Sequence, residues 1–373
     1  MDRINSLFRE RRIIWLHGVR RSGKTFLCKS IPDIVYFDCE IPEVRRQVED
    51  EAFLASQSGR TIALDEIHRL KNPAELLKIA ADHHNIRIIA TGSSKLEANK
   101  KFKDTLTGRK FNLHLTPATS SDAVDFKAGL DERLLHGGLP DFMMAPRPQP
   151  RAYIEWIESY WARDITGTFR IDKKDAFMKL MELLFINSGG IFEASKYGPL
   201  CELSRPTIKE YFALLSETSV ISAVRPFSSG KARELTSAPK VYSFDTGFTA
   251  FFRGWEKLRS EDRGIMWEQY VLNEILACAQ SGRVNYWRDK DGHELDFVLY
   301  RNARKPAAIE CKWQAQAFDP GNLKVFRRLH PDGENYLVTH DTTAAHVKMY
   351  GAIRVNVAGI GDICGIVSHI TGE

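Results

Sequence analysis

Gly18-Val19-Arg20-Arg21-Ser22-Gly23-Lys24-Thr25 is the stretch on which the reading of this chain turns. It fits G-x-x-x-x-G-K-[ST], the spacing of a loop that cradles phosphate. The apolar run Ile13-Ile14-Trp15-Leu16 precedes it, as a buried parallel strand would, and Phe26-Leu27-Cys28 follows with helical spacing. A strand-to-helix turn exposes backbone N–H groups at a helix N-terminus, where orphan donors and the helix dipole favour an anion. Gly18 and Gly23 let the backbone approach closely, with Arg21 and Ser22 in the loop between them. Lys24 is expected to reach the β- and γ-phosphates of ATP, and Thr25 to offer its hydroxyl to Mg²⁺.

Two further strand ends extend binding to hydrolysis. Thr61-Ile62-Ala63-Leu64-Asp65-Glu66 is an apolar strand closing in two acids. Asp65 is expected to hold Mg²⁺ through water, and Glu66 to polarise the attacking water, since phosphoryl transfer needs a positioned base or orienting group. Ile86–Ala90 ends in Thr91-Gly92-Ser93-Ser94, where Ser93, with Ser94 as its alternative, is expected to sense the γ-phosphate. One polar strand end is a weak signal, because strands often end in capping residues. Three in this order match the ligand crevice of an open α/β sheet.

The 373 residues suffice for two or three domains. Composition is ordinarily globular, 43% hydrophobic and 27% charged, with no low-complexity tract or repeat. A formal charge of +5 permits a nucleic-acid partner without demanding one. The six cysteines (Cys28, Cys39, Cys201, Cys278, Cys311, Cys364) lack zinc spacing and read as reduced core thiols. Neither a signal peptide nor a membrane span is visible, so the expectation is a cytoplasmic protein with no membrane partner.

Along the chain, residues 1–11 read as an amphipathic lead-in, and residues 12–120 alternate short strands with helices. Val35–Asp38 is expected as a strand lying between the P-loop strand and the Asp65-Glu66 strand. Together these imply a parallel sheet covered by helices. Gly137-Gly138-Leu139-Pro140 and Pro146–Pro150 mark a linker. Helices follow over Tyr153–Trp161, Phe177–Asn187, Glu193–Tyr197 and Arg205–Glu217, the last with Ser204 as its cap. With strands at Val220–Val224 and Lys240–Phe244 they suggest a winged helix. Its third helix offers Arg205 and Lys209 but also Glu210 and Glu217, and Lys231, Arg233 and Lys240 surround the wing. DNA contact and intramolecular packing fit this charge pattern equally well.

A second constellation lies in the last hundred residues. Glu268 sits in a helical stretch, strands Arg283–Asp289 and His293–Tyr300 follow, and the latter contains Asp296. A third strand, Ala307–Trp313, carries Glu310-x-Lys312; a helix over 322–329 and a strand over 335–339 complete an αβββαβ order. Residues two apart in a strand share a face, so Glu310 and Lys312 point together while Cys311 turns into packing. Asp296 is expected to meet Glu310 across adjacent strands. Such an oxygen-rich set suits Mg²⁺, or Mn²⁺ in its place, with Lys312 neutralising charge or steering a nucleophile. An E-x-K triplet alone means little; the ordered elements around it make the signal moderately specific.

With these residues in view, the chain resembles the bacterial and archaeal AAA-type ATPases whose C-terminal half is a domain of unknown function. The likeness covers nearly the whole length. It rests on the P-loop, Leu64-Asp65-Glu66-Ile67-His68, Ala90-Thr91-Gly92-Ser93-Ser94, Leu106-Thr107-Gly108-Arg109-Lys110, His136-Gly137-Gly138-Leu139-Pro140 and Ala162-Arg163-Asp164-Ile165. It rests also on Pro239–Gly247 and on Trp287-Arg288-Asp289 followed by Glu294-Leu295-Asp296-Phe297-Val298. The resemblance implies an α/β P-loop domain over residues 1–135, a helical and winged-helix region over 136–255, and a PD-(D/E)xK nuclease-like domain over 256–373. It implies nucleotide and Mg²⁺ binding at Lys24 and Thr25, hydrolysis supported by Asp65 and Glu66, and a sensor at Ser93. Glu268, Asp296, Glu310 and Lys312 fill the nuclease-fold positions, with Asp296 and Glu310 as metal ligands. Arg109 is its candidate arginine finger or sensor, against the alternative of a surface salt bridge. The functional expectation is an ATP-hydrolysing, DNA-directed protein whose cleaving module is gated by nucleotide. Its alternative is a nucleotide-driven switch or scaffold that binds nucleic acid or a partner without cutting. A homo-oligomer is compatible with either.

Overall fold

The computed structural model describes residues 2–92, 106–145, 149–166, 169, 171–228, 237–280, 284–303 and 305–372. They form two compact units. The first comprises Met1–Leu115, Glu155–Ile171 and Glu217–Ser219; the second comprises Thr116–Ile154, Asp172–Ser216 and Val220–Glu373.

In the first unit, β1 (Ile13–His17), β2 (Val35–Asp38), β3 (Thr61–Asp65), β4 (Arg87–Thr91) and β5 (Lys110–His114) make a parallel sheet in the order β2-β3-β4-β1-β5. Every residue of β1 is buried, as expected of a strand covered on both faces. Alternation divides its side chains. Ile13 and Trp15 pack with Ile62, Leu64 and Ile88 on one side, while Ile14 and Leu16 meet Ile4 and Phe8 of the helix Asp2–Glu10 on the other. β2 follows β1 and precedes β3 along the chain, but not in the sheet. It forms the edge of the sheet, and β4 is inserted between the other two. Chain order and sheet order part here because a helical crossover can skip strands. The inserted β4 brings the carboxyl ends of β1, β3 and β4 side by side, where an open α/β sheet binds ligands.

The second unit holds a nine-stranded mixed sheet among the described residues. Its strands are β6 (Gly190–Ile191), β7 (Ile221–Pro226), β8 (Lys240–Ser243), β9 (Val284–Arg288), β10 (Glu294–Leu299), β11 (Ala307–Lys312), β12 (Asn335–Thr339), β13 (His346–Tyr350) and β14 (Ile353–Ala358). The order is β13-β14-β12-β11-β10-β9-β7-β8-β6. Helix Lys174–Ile186 precedes β6, and helices Ala194–Cys201 and Arg205–Glu217 lie between β6 and β7 of the antiparallel β6-β8-β7 set. That set is joined to the rest by a short parallel pairing of β7 with β9, Arg225↔Asn285 and Pro226↔Tyr286. The hairpin and the C-terminal strands therefore share one sheet. Lys231 and Arg233 lie outside the described residues.

Two quoted motifs prove to be framework. Gly137 (φ +92°) lies against the buried Asp245 so closely that a Cβ would fall 1.9 Å from Oδ1. Asp245 in turn accepts the N–H groups of Gly138 at 2.6 Å and Gly247 at 2.8 Å. Not all cysteines are free thiols. Cys278 and Cys364 form a disulfide across 86 residues, while Cys28, Cys39, Cys201 and Cys311 are free and buried. The helices Ser260–Cys278 and Ile363–Thr371 pack together and bring the pair within reach, a tertiary contact that sequence spacing does not carry. No described helix is long and apolar enough to cross a membrane.

Candidate functional site

The loop after β1 has the geometry expected of a phosphate cradle. Gly23 sits at φ 95°, ψ 13° as the residue before the helix Lys24–Ser30, a conformation glycine adopts without strain. Gly18 is held by close approach, since a Cβ there would lie 2.3 Å from the carbonyl oxygen of Leu115. Arg21, also in the loop, has φ 60°. Lys24 is buried, and its Nζ donates to the carbonyls of Gly18 (3.0 Å) and Val19 (2.9 Å). Burial lowers its pKa, partly opposed by Glu66, Asp164 and Asp65. The Ser22 hydroxyl is buried without a hydrogen-bond partner. An ammonium with only carbonyl partners and an orphaned hydroxyl suit an incoming anion.

At the end of β3, Asp65 gathers hydroxyls. Oδ2 accepts from Thr25 at 2.7 Å and from Tyr36 at 2.6 Å, and Oδ1 accepts from Thr91 at the end of β4. A carboxylate beside a threonine hydroxyl is a hard oxygen pair of the kind Mg²⁺ prefers. Glu66 follows in a left-handed conformation, φ 53°, and lies 3.1 Å from His68 Nδ1. Burial pushes its carboxyl up, but the hydrogen bond and charge of His68, with Lys24 and Arg20, outweigh that and hold it below the usual range. The loop is braced by Trp156 and Asp164. Arg20 Nε donates to the buried Asp164 Oδ2 at 3.1 Å, and Trp156 Nε1 donates to the Arg20 carbonyl at 3.0 Å.

Sequence reasoning missed Tyr36, His68, Trp156 and Asp164 as neighbours of this site, and of the polar strand end at 91–94 it singled out Ser93 and Ser94, not Thr91. Asp164 stood in a quoted motif, Ala-Arg-Asp-Ile, without a role. Ser93 and Ser94 lie outside the described residues. Arg109 needs correction. It immediately precedes β5, which runs parallel to β1 with Lys110 opposite Ile13 and His114 opposite His17. That is the strand end remote from the P-loop, and there Arg109 pairs with Asp82 at 3.0 Å. It does not reach its own chain's cradle.

In the second unit the four expected residues do come together. β10 and β11 pair with Phe297 opposite Ile309, so one step along Asp296 faces Glu310. Asp296 Oδ2 accepts the N–H of Cys311 at 2.7 Å; Lys312 Nζ lies 3.0 Å from Glu310 Oε2 and 3.6 Å from Asp296 Oδ2. Burial, reinforced by the Asp296 charge, pushes Glu310 up to about 8. The same causes raise Glu268. Lys312 is raised in turn: burial works against its charge, and Asp296 and Glu310 overcome it.

β8 supplies members that sequence reasoning had not placed here. The buried Lys240 lies 3.1 Å from Glu268 Oε1 and 2.5 Å from Glu294 Oε1. Tyr242 donates to Glu268 Oε1 at 2.6 Å. Despite burial, which acts to lower it, the pKa of Lys240 is raised by Glu268, Asp296 and Glu294. Among the described residues no group of three or more His, Cys, Asp or Glu side chains is arranged to hold a metal ion. What the site offers is the facing pair Asp296 and Glu310.

Comparison with known proteins bears on the first unit most. Residues 10–123 match the family model described as AAA domain. The chain carries a P-loop ATPase domain of the AAA type. Residues 127–259 and 263–356 match two domains of unknown function (DUF8612 and DUF4143). Uncharacterized proteins of Mycobacterium bovis and Mycobacterium tuberculosis are each 24% identical over 312 residues, 80% of this chain and 70% of theirs. Among solved structures, the Aeropyrum pernix ORC1 protein in complex with DNA is 11% identical, with 68% of this chain and 91% of that one covered, at a TM-score of 0.29. A DNA polymerase III gamma subunit-related protein of Thermotoga maritima is 13% identical, with coverage of 73% and 84% and a TM-score of 0.26. Scores of this size do not imply a common architecture along the whole chain.

Proposed function

We propose that this AAA-type ATPase is DNA-directed and that its second unit houses a metal-dependent phosphodiester-cleaving site gated by the nucleotide state of the first. In the first unit Lys24, Ser22 and the loop N–H groups would bind the ATP phosphates, with Gly18, Arg21 and Gly23 shaping the loop. Thr25 and Asp65 would hold Mg²⁺, which supplies charge neutralisation at the phosphates. Glu66, kept ionised, would orient the attacking water. In the second unit Asp296 and Glu310 would hold a divalent cation, which supplies an activated water. Lys312 would neutralise the phosphate, and Glu268 would complete the polar wall.

The observation that carries the cleaving site is the facing Asp296–Glu310 pair with Lys312 beside both. Two carboxylates this close repel unless a proton or a cation lies between them, and the Asp296 charge adds to burial in raising the Glu310 carboxyl. A second reading, a nucleotide-driven switch whose second unit binds without cutting, is favoured by one other observation. Lys240 and Lys312 already neutralise much of the acidic cluster from within. Plasmid nicking in Mg²⁺ or Mn²⁺, with and without ATP, separates the two. Nicking that disappears in Asp296→Ala and shifts with ATP only while Lys24 is present supports the first. Intact plasmid in every metal, with ATP hydrolysis lost in Lys24→Ala, leaves the switch.

A further inference from the structure

The first unit has an opening that the nucleotide site does not use. A cleft of about 830 Å³ lies at the amino ends of β1, β4 and β5. Five arginines converge on it. Arg9 comes from the last turn of the helix Asp2–Glu10, Arg11 and Arg12 from the link into β1, Arg87 from the first position of β4, and Arg109 from the turn before β5. Among the described lining residues only Glu10 and Asp82 oppose them, and Asp82 is taken up by Arg109. Arg11 and Arg12 donate to backbone carbonyls, of Lys110 at 2.7 Å and Asn85 at 3.4 Å, which leaves their charge uncompensated. Arg9 and Arg87 are exposed, and neither pairs with a carboxylate among the described residues.

Such a concentration of like charge in one concavity is unfavourable for the chain alone and attracts an anion. The P-loop cannot share that anion. It follows the opposite end of β1, a five-residue strand, so roughly 13–17 Å separates the two openings. The cations are arginines throughout, whose planar forks match the paired oxygens of a phosphate. Two of them lie near aromatic rings. Arg11 lies over Phe111 at 4.3 Å and Arg87 over Phe8 at 6.0 Å. Stacking engages the guanidinium face and leaves its N–H edge for the ligand. The charges come from four separate segments and spread over a volume far larger than one phosphate group. A row of phosphates meets that spacing better than a single one.

We propose that this arginine cleft binds the phosphate backbone of a nucleic-acid strand. The proposal rests on the reading above only for its class of partner; it does not require the second unit to cut. The test is fluorescence anisotropy of a labelled 20-mer DNA, single-stranded and duplex, with the full chain in EDTA and no nucleotide, over a range of salt. The exposed pair is changed together, Arg9→Gln with Arg87→Gln, and labelled-ATP binding and thermal melting of the double variant verify its fold. The expected result is at least a fivefold loss of DNA affinity, with ATP binding unchanged. The salt slope for the single strand should fall by about 1.4, the share of two phosphate contacts. Failure of the wild type to bind DNA, or equal affinity in the double variant, overturns the proposal. So does binding of poly-glutamate in preference to DNA through the same arginines, which would make the partner an acidic polypeptide. Arginine-dependent DNA binding in a chain that nicks no plasmid would uphold the cleft and sink the cleaving site.

Discussion

Each unit buries a lysine at the centre of its polar cluster, and the two lysines are treated in opposite ways. Lys24 is surrounded by carbonyl oxygens, and burial depresses its pKa. Lys240 is surrounded by carboxylates, and they raise its pKa in spite of burial. The first lysine bears a desolvation cost that Glu66, Asp164 and Asp65 offset only in part, and an incoming anion would relieve the rest. The second has already found its anions within the chain. The P-loop is thus a site in want of a ligand, whereas the acidic cluster is nearly balanced before any ligand arrives.

The sharpest test of this contrast is the pair of substitutions Lys24→Met and Lys240→Met. ATP turnover, followed by phosphate release, should fall by at least about a hundredfold in Lys24→Met, the scale of losing a preorganised charge at a reacting phosphate. Melting of that variant should be no lower than wild type, because a poorly compensated buried charge has been removed. Lys240→Met should instead cost about 3 kcal/mol, since two acids lose their buried partner. Equal melting shifts in the two variants would break the comparison.

A smaller effect sharpens it. If Asp296 and Glu310 accept a divalent cation, Mg²⁺ or Mn²⁺ should restore part of the melting loss in Lys240→Met and none in a Lys240→Met/Asp296→Asn double variant. In the first unit, Asp164→Ala removes the brace on Arg20. It should weaken binding of labelled ATP several-fold while leaving the melting of Lys240-dependent structure alone.

The smallest effect is a pH slope. Burial pushes Glu274 up to about 7, against the N–H and hydroxyl of Ser120, which lie 2.6 and 3.1 Å away and favour its ionised form. The folded chain keeps this proton between about 4.5 and about 7, whereas the unfolded chain releases it. Stability therefore declines as pH rises through that window. Glu274→Gln should flatten that part of a melting-temperature profile, and an unchanged profile would refute the assignment.

How much of this was legible in the chain depends on how far apart the parts lie. The P-loop is contiguous, and its strand and helix flank it directly, so eight residues disclosed the fold. Glu310 and Lys312 are two apart in a strand, and parity alone predicted their common face. Lys240 and Tyr242 were not readable, because a hairpin carries them to Glu268 from 28 and 26 residues away. Pro239–Gly247 was visible as a motif, but nothing in its spacing named a partner. The disulfide is less accessible still, at 86 residues. Arg109 takes the alternative it was weighed against, a surface salt bridge, here with Asp82. A residue that precedes a parallel strand lies at its amino end, and the P-loop follows the other end of β1, so Arg109 is remote from its own chain's cradle.

The short pairing of β7 with β9 has a consequence for how such a chain can change over generations. Lys240 and Tyr242 fall in one matched family, residues 127–259, while Glu268, Asp296, Glu310 and Lys312 fall in the next, residues 263–356. The acids thus fall in one matched segment, and two of the groups that donate to them fall in the other. A recombination event that exchanged one segment for an unrelated one would strand two ammonium-and-hydroxyl donors on one side and their acids on the other. The contacts of Lys240 with Glu268 and Glu294, and of Tyr242 with Glu268, would then be lost together.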